Sequence, residues 1–72
     1  MQRQRVKSSN IYSLGFDDST ETVEAEFGSS GAVWKYWPIK RSTFEAVLNA
    51  ESIGKSFNRL IHDVAENSKQ VS

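Results

Sequence analysis

The sequence predicts an α+β fold, a three-stranded antiparallel meander followed by two helices packed on one face. Three observations carry this. Residues 22–27, Thr-Val-Glu-Ala-Glu-Phe, alternate strictly between polar and apolar, the period of a half-buried strand. Phe57, Leu60, Ile61, Val64 and Ala65 fall at i, i+3, i+4, i+7 and i+8, the stripe of an amphipathic helix. All the strand patterns precede the helical ones, so the sheet comes first in the chain.

Residues 1–9 are polar and lack periodicity, and are expected to form a flexible basic arm carrying Arg3, Arg5 and Lys7. A single domain is expected over 10–66. The first strand is placed at 10–16, where Ile11, Tyr12 and Phe16 favour extended backbone. Asp17-Asp18-Ser19-Thr20 is turn chemistry, because short polar side chains bond back to the local backbone. The second strand, 22–27, points Val23, Ala25 and Phe27 one way and Thr22, Glu24 and Glu26 the other. Gly28-Ser29-Ser30-Gly31 closes a hairpin, and its glycines accept positive φ. The third strand, 32–37, ends at Pro38, which has no N–H to donate. It places Trp34 and Tyr36 on one face and Val33, Lys35 and Trp37 on the other, so periodicity does not decide which face looks inward.

Ser42 followed by Glu45 reads as a capping box, and Phe44, Val47 and Leu48 form an apolar stripe on a short helix ending near Ala50. Ser52 caps the second helix, and Gly54 in its first turn permits close approach of another backbone. Residues 67–72 are polar and are expected to fray. The expected core is Ile11, Val23, Ala25, Phe27, Phe44, Leu48, Phe57, Leu60, Ile61 and Val64, with one sheet face covered and the other wet.

A chain of 72 residues holds one domain. Such a domain buries about 60 % of its unfolded surface, so a stability of roughly 5 kcal/mol or less is expected. There is no cysteine, hence neither a disulfide nor a thiolate zinc site. No apolar run approaches the ~20 residues of a membrane span, and no apolar block follows the basic start as in a secretory signal. A cytoplasmic protein without membrane contact is expected. Formal net charge is zero, which argues against indiscriminate nucleic-acid binding. The distribution is uneven: Asp17, Asp18, Glu21, Glu24 and Glu26 sit in a stretch with no base, while bases dominate the arm and recur after Ala32.

Trp34-Lys35-Tyr36-Trp37, with Lys40 and Arg41 following, interleaves aromatic and basic residues. Aromatic faces stack on unpaired bases and cations track phosphates. The plainer reading is that Trp34 and Tyr36 fill the core, a small sheet needing large side chains. Trp37 faces the other way and is expected to be exposed, forming with Lys35, and with Lys40 or Arg41 at the rim, a ligand-facing patch. Lys55, Asn58 and Arg59 lie near the start of the second helix, where a phosphate is one reading and solvated side chains the other. His62 is the single histidine, and acidic turns are ordinarily solvated, so no metal, cofactor or catalytic residue is expected.

Gly31, Trp34, Tyr36, Phe44, Leu48, Ala50, Ser52, Gly54, Phe57, Asn58 and Ile61 stand in the order and spacing of a known pattern: a Tyr-x-Tyr motif after a glycine, then an Ala-x-Ser-x-Gly turn into an Asn-bearing helix. Over roughly Ser9 to Val64 the chain resembles the KTSC domain, a module found alone in bacteria and phages and as a tail on some lysyl-tRNA synthetases. Trp34 replaces the first tyrosine, and Ile39-Lys40 stands where the family has Val-Pro, with the proline displaced to Pro38. Asp63-Val64-Ala65-Glu66 replaces a basic or aromatic helix end. A non-catalytic binding module is expected, and the resemblance implies single-stranded or structured RNA as its partner. A protein partner is the alternative, for instance as a small phage or bacterial regulator of a host protein, the chain being a monomer or weak homodimer. Aromatic surface suits a protein interface too, and an open sheet edge can pair with a partner strand.

Overall fold

The computed structural model of the chain describes residues 2–72. The central prediction holds, with strands Ile11–Asp17, Thr22–Phe27 and Val33–Trp37 paired antiparallel in chain order. Two further strands flank them, so the sheet has five strands rather than three. Numbered along the chain they are β1 (Arg3–Arg5), β2 (Ile11–Asp17), β3 (Thr22–Phe27), β4 (Val33–Trp37) and β5 (Asn67–Gln70), in spatial order β1-β2-β3-β4-β5. The expected flexible arm over 1–9 is thus corrected where Arg3–Arg5 pair with Ser13–Gly15. Met1, the first residue of that arm, lies outside the described residues. The expected frayed tail is corrected likewise, because Asn67–Gln70 pair with Trp34–Trp37. Val33 extends the ladder by donating to Ser72 O at 3.0 Å and accepting from Val71 N at 2.8 Å.

The turns follow the sequence chemistry. Asp17 Oδ1 accepts from Ser19 N at 3.0 Å and Ser19 Oγ at 2.7 Å, closing the β2–β3 turn. In the β3–β4 hairpin Phe27 N donates to Ala32 O at 2.9 Å, and Gly31 takes φ 74°, which a residue with a Cβ rarely adopts.

Between β4 and β5 run two helices, α1 (Arg41–Leu48) and α2 (Ile53–Phe57), the latter continuing into a π-helical turn over Asn58–His62. α1 starts one residue before the expected cap. Lys40 occupies the cap position and no side chain caps the helix, so Ser42 and Glu45 form no capping box. Ser52 does cap α2, its side chain accepting from Lys55 N at 3.4 Å. Gly54 serves close approach, since an added Cβ would lie 2.7 Å from Asn10 Oδ1 and 3.3 Å from Ser8 Oγ. No described helix is long and apolar enough to cross a membrane.

The helices cover the sheet face that carries Leu14, Val23, Ala25 and Tyr36, and bury Phe44, Val47, Phe57 and Ile61 against it. Phe57 sits at the centre, edge-on to Tyr36 at 5.3 Å and to Phe27 at 5.9 Å between ring centroids. Phe16 stacks on Phe44 at 5.2 Å. Leu14, Val33, Tyr36, Ile39 and Val47 are buried in addition to the expected set, while Phe27, Leu48 and Leu60 pack only partly buried at its margin. Val64 is corrected outright: it is 62 % exposed, because the helical turn closes at His62 and leaves it beyond the stripe.

Candidate functional site

The second sheet face carries no helix, and the register puts Glu24, Lys35 and Lys69 in one row across it, with Arg3 and Gly15 extending the row to β1. Part of this face is nonetheless covered. Arg3 lies across Gly15, its Nε donating to Ser13 Oγ at 3.0 Å and its Nη1 bonded to Glu24 Oε1. Ser13 Oγ in turn donates to Glu26 Oε1 at 2.9 Å. Glu24 is therefore only 8 % exposed although it lies on the helix-free face. A buried carboxylate is tolerated when paired and hydrogen-bonded, and Arg3 supplies both.

The uncovered part lies toward β4 and β5. Trp37 is half-buried there, lining an open groove of about 340 Å³ with Lys35, Asp17, Thr20 and Thr22. Lys35 stands opposite Lys69, and its Nζ is 4.0 Å from Glu24 Oε2. Asn67, opposite Trp37, donates from Nδ2 to Trp37 O at 3.4 Å. Trp37, Lys35 and Lys69 thus share one surface.

Other residues of the aromatic and basic stretch go elsewhere. Tyr36 is in the core, and burial pushes its phenol above the ordinary value of 10.0. Trp34 stacks on Tyr36 at 6.4 Å and is half-buried on the same, helix-covered side. The plainer reading therefore holds for this pair. Arg41 Nε donates to Asp18 Oδ1 at 2.7 Å and Nη1 to Glu45 Oε2 at 3.2 Å, tying the β2–β3 turn to the start of α1. Those bonds, Asp18's first, raise the guanidinium pKa, while the Arg41 bond holds the Asp18 carboxyl below its ordinary 3.8. Asp17 is lowered too, by its bonds from Ser19. Arg41 is thus committed to a structural pair. Lys40 is exposed at the cap of α1.

Lys55, Asn58 and Arg59 are exposed on the second helical segment, and Lys55 and Asn58 line a larger groove of about 480 Å³ facing Lys7, Ser9 and Asn10. Its lining residues include none of those around Trp37. Sequence reasoning missed Lys69, because it lay in the expected tail, and assigned no role to Arg5, Lys7 and Tyr12. The run of bases in 1–7 was the available signal. Among the described residues no three His, Asp or Glu side chains gather as a metal-ligand set.

The family model of the KTSC domain matches residues 7–64. The chain belongs to the KTSC domain family. It is 38 % identical over 60 residues to an uncharacterised protein of Stutzerimonas stutzeri, covering 83 % of each chain. It is also similar to the crystal structure of a KTSC domain protein from Yersinia pestis, with TM-score 0.90, 27 % identity, and coverage of 99 % of this chain and 97 % of that one. In this KTSC domain the positions that carry the resemblance mostly build the fold. Tyr36, Phe44, Phe57 and Ile61 are core, Gly31 makes the hairpin, and Ser52 and Gly54 seat α2. Asn58 and the cap residue Ser52 are exposed and line the groove of about 480 Å³.

Proposed function

We propose that this KTSC domain is a non-catalytic cytoplasmic binding module, and that it takes single-stranded RNA on the helix-free sheet face at Trp37. The observation that carries the reading is the grouping of Trp37 with Lys35 and Lys69 on one uncovered surface. A half-buried indole offers a stacking face to an unpaired base, and two ammonium groups beside it track the flanking phosphates. Lys35 lies near Glu24, while Lys69, across from it in the register, forms no ion pair among the described residues, so an anion at this surface gains a partner in Lys69. Net charge near zero confines attraction to this local field and makes binding weak and salt-sensitive.

The test is Trp37→Ala in a fluorescence-anisotropy titration with a labelled oligouridylate. Loss of one stack is worth about 1–3 kcal/mol, so affinity falls roughly 5- to 150-fold. A Trp37→Ala variant that folds and binds as tightly as the parent refutes the site. A protein partner is the second reading, favoured by the outer edges of β1 and β5, which have no neighbouring strand. Arg3, Arg5 and Lys69 on those strands oppose pairing of two copies, so the module acts as a monomer.

A further inference from the structure

The loop between β1 and β2 carries a second basic surface. Two open grooves, of about 480 and 370 Å³, share Ser8, Ser9 and Asn10 as a common wall. Beyond that wall on one side stand Lys55 and Asn58, with Lys7 beside the loop. On the other side the Arg5 guanidinium lies over the exposed Tyr12 ring, 3.8 Å from its centroid. Arg3, Lys35 and Arg41 are engaged by carboxylates elsewhere in the fold. Arg5, Lys7 and Lys55 form no ion pair among the described residues, and the one acid lining either groove is Glu51. Three of the six Lys and Arg side chains without an ion pair among the described residues, Arg5, Lys7 and Lys55, therefore line these grooves, next to an aromatic ring.

The loop is held rather than loose. Ser8 Oγ donates to Asn10 Oδ1 at 2.9 Å, and the missing side chain of Gly54 lets this pair sit against α2. The grooves thus have a fixed common wall and cations on both sides of it. An Arg–Tyr stack on one side of the wall offers a flat face on which a base can lie, and Lys7 and Lys55, lining the groove on the other side, are placed to meet phosphates there.

We propose that this strip, from Tyr12 and Arg5 across Lys7 to Lys55 and Asn58, is a second track for single-stranded nucleic acid, distinct from the Trp37 face. It rests on the reading of the ligand as RNA. The two surfaces lie at opposite ends of β2, about 20 Å apart along the strand, so one oligonucleotide can engage both only if it is long enough to span that distance.

The experiment titrates an oligouridylate of about twelve nucleotides into the full chain, into Lys7→Gln/Lys55→Gln, into Tyr12→Ala and into Trp37→Ala. Salt is varied between about 50 and 200 mM, and circular dichroism verifies folding. The three side chains other than Trp37 are exposed, so the first two variants are expected to fold. The double variant should bind several-fold more weakly, and its log–log salt slope should flatten by about 1.4, since each lost phosphate contact on a single strand contributes about 0.7. Tyr12→Ala should weaken oligouridylate binding but leave binding of base-free polyphosphate unchanged. An unchanged slope in the double variant overturns the strip, even if Trp37→Ala weakens binding and so upholds the sheet-face site. The opposite pattern upholds the strip and removes the sheet-face site. Absence of binding by the parent chain overturns both.

Discussion

Gly15→Ala tests why β1 belongs to the sheet. Gly15 stands opposite Arg3, and a Cβ built there would lie 2.7 Å from Gln2 O, 3.0 Å from Arg3 Cγ and 3.3 Å from Arg3 Cα. The first of these is a backbone atom, so the clash cannot be relieved by rotating a side chain. β1 must move outward, and Arg3 is drawn away from Ser13 and Glu24, leaving a nearly buried carboxylate short of its partner. Overpacking of this kind costs about 1–3 kcal/mol. A weakened charge-assisted bond adds part of a further 1.5–3 kcal/mol or so. Alanine recovers roughly 0.5–1 kcal/mol over glycine within a strand. The net loss is about 2 kcal/mol, which for a domain of this size lowers Tm by roughly 8–16 °C. Thermal unfolding followed by circular dichroism reads this directly. Gly28→Ala is the control, because its added Cβ meets nothing closer than 3.9 Å and should shift Tm little. If Gly15→Ala melts at or above the parent temperature, the close packing of β1 on β2 is wrong.

Phe57→Ala removes a ring that is 0 % exposed at the centre of the core. At about 3–5 kcal/mol this approaches the whole stability expected of the domain, so the variant should lack a cooperative melting transition. Asp18→Asn should destabilise the protein at neutral pH. Because the folded carboxyl titrates below its ordinary 3.8, its contribution is full above that value and is lost as pH falls through the folded pKa, so parent and variant unfolding curves should converge in acid. A constant gap down to the lowest pH would show that Arg41 does not act through the Asp18 charge. Tyr36→Phe should flatten the alkaline limb of stability. The folded phenol titrates above 10.0, so the parent is fully supported below 10.0 and loses stability as pH rises from there through the folded value; an identical limb in the variant would contradict this.

The legible parts of the fold were those whose side chains divide between inside and outside. β3 was placed to the residue because Val23 and Ala25 are buried by the helices and alternate with polar neighbours. β1 and β5 bury none of their residues and are held by backbone pairing, so Arg3-Gln4-Arg5 and Asn67-Ser68-Lys69-Gln70 carry no periodic signal. The start of α1 was misplaced because a Ser followed three residues later by Glu looks the same inside a helix as at its cap. At the candidate site, alternation correctly separated Trp37 and Lys35 from Trp34 and Tyr36. It could not supply Lys69, which reaches the patch only through β5, nor show that Arg41 is bound to Asp18, 23 residues earlier. Long-range partners of a charge are a property of the assembled fold.

The proposed binding of single-stranded RNA through an aromatic surface flanked by cations is read by titrating a labelled oligouridylate, following anisotropy together with tryptophan fluorescence at about 50 and 200 mM salt. Micromolar binding that quenches tryptophan and weakens at the higher salt is the predicted result. No change in either signal at tens of micromolar protein in low salt would contradict the claim and turn attention to a protein partner at the open sheet edges.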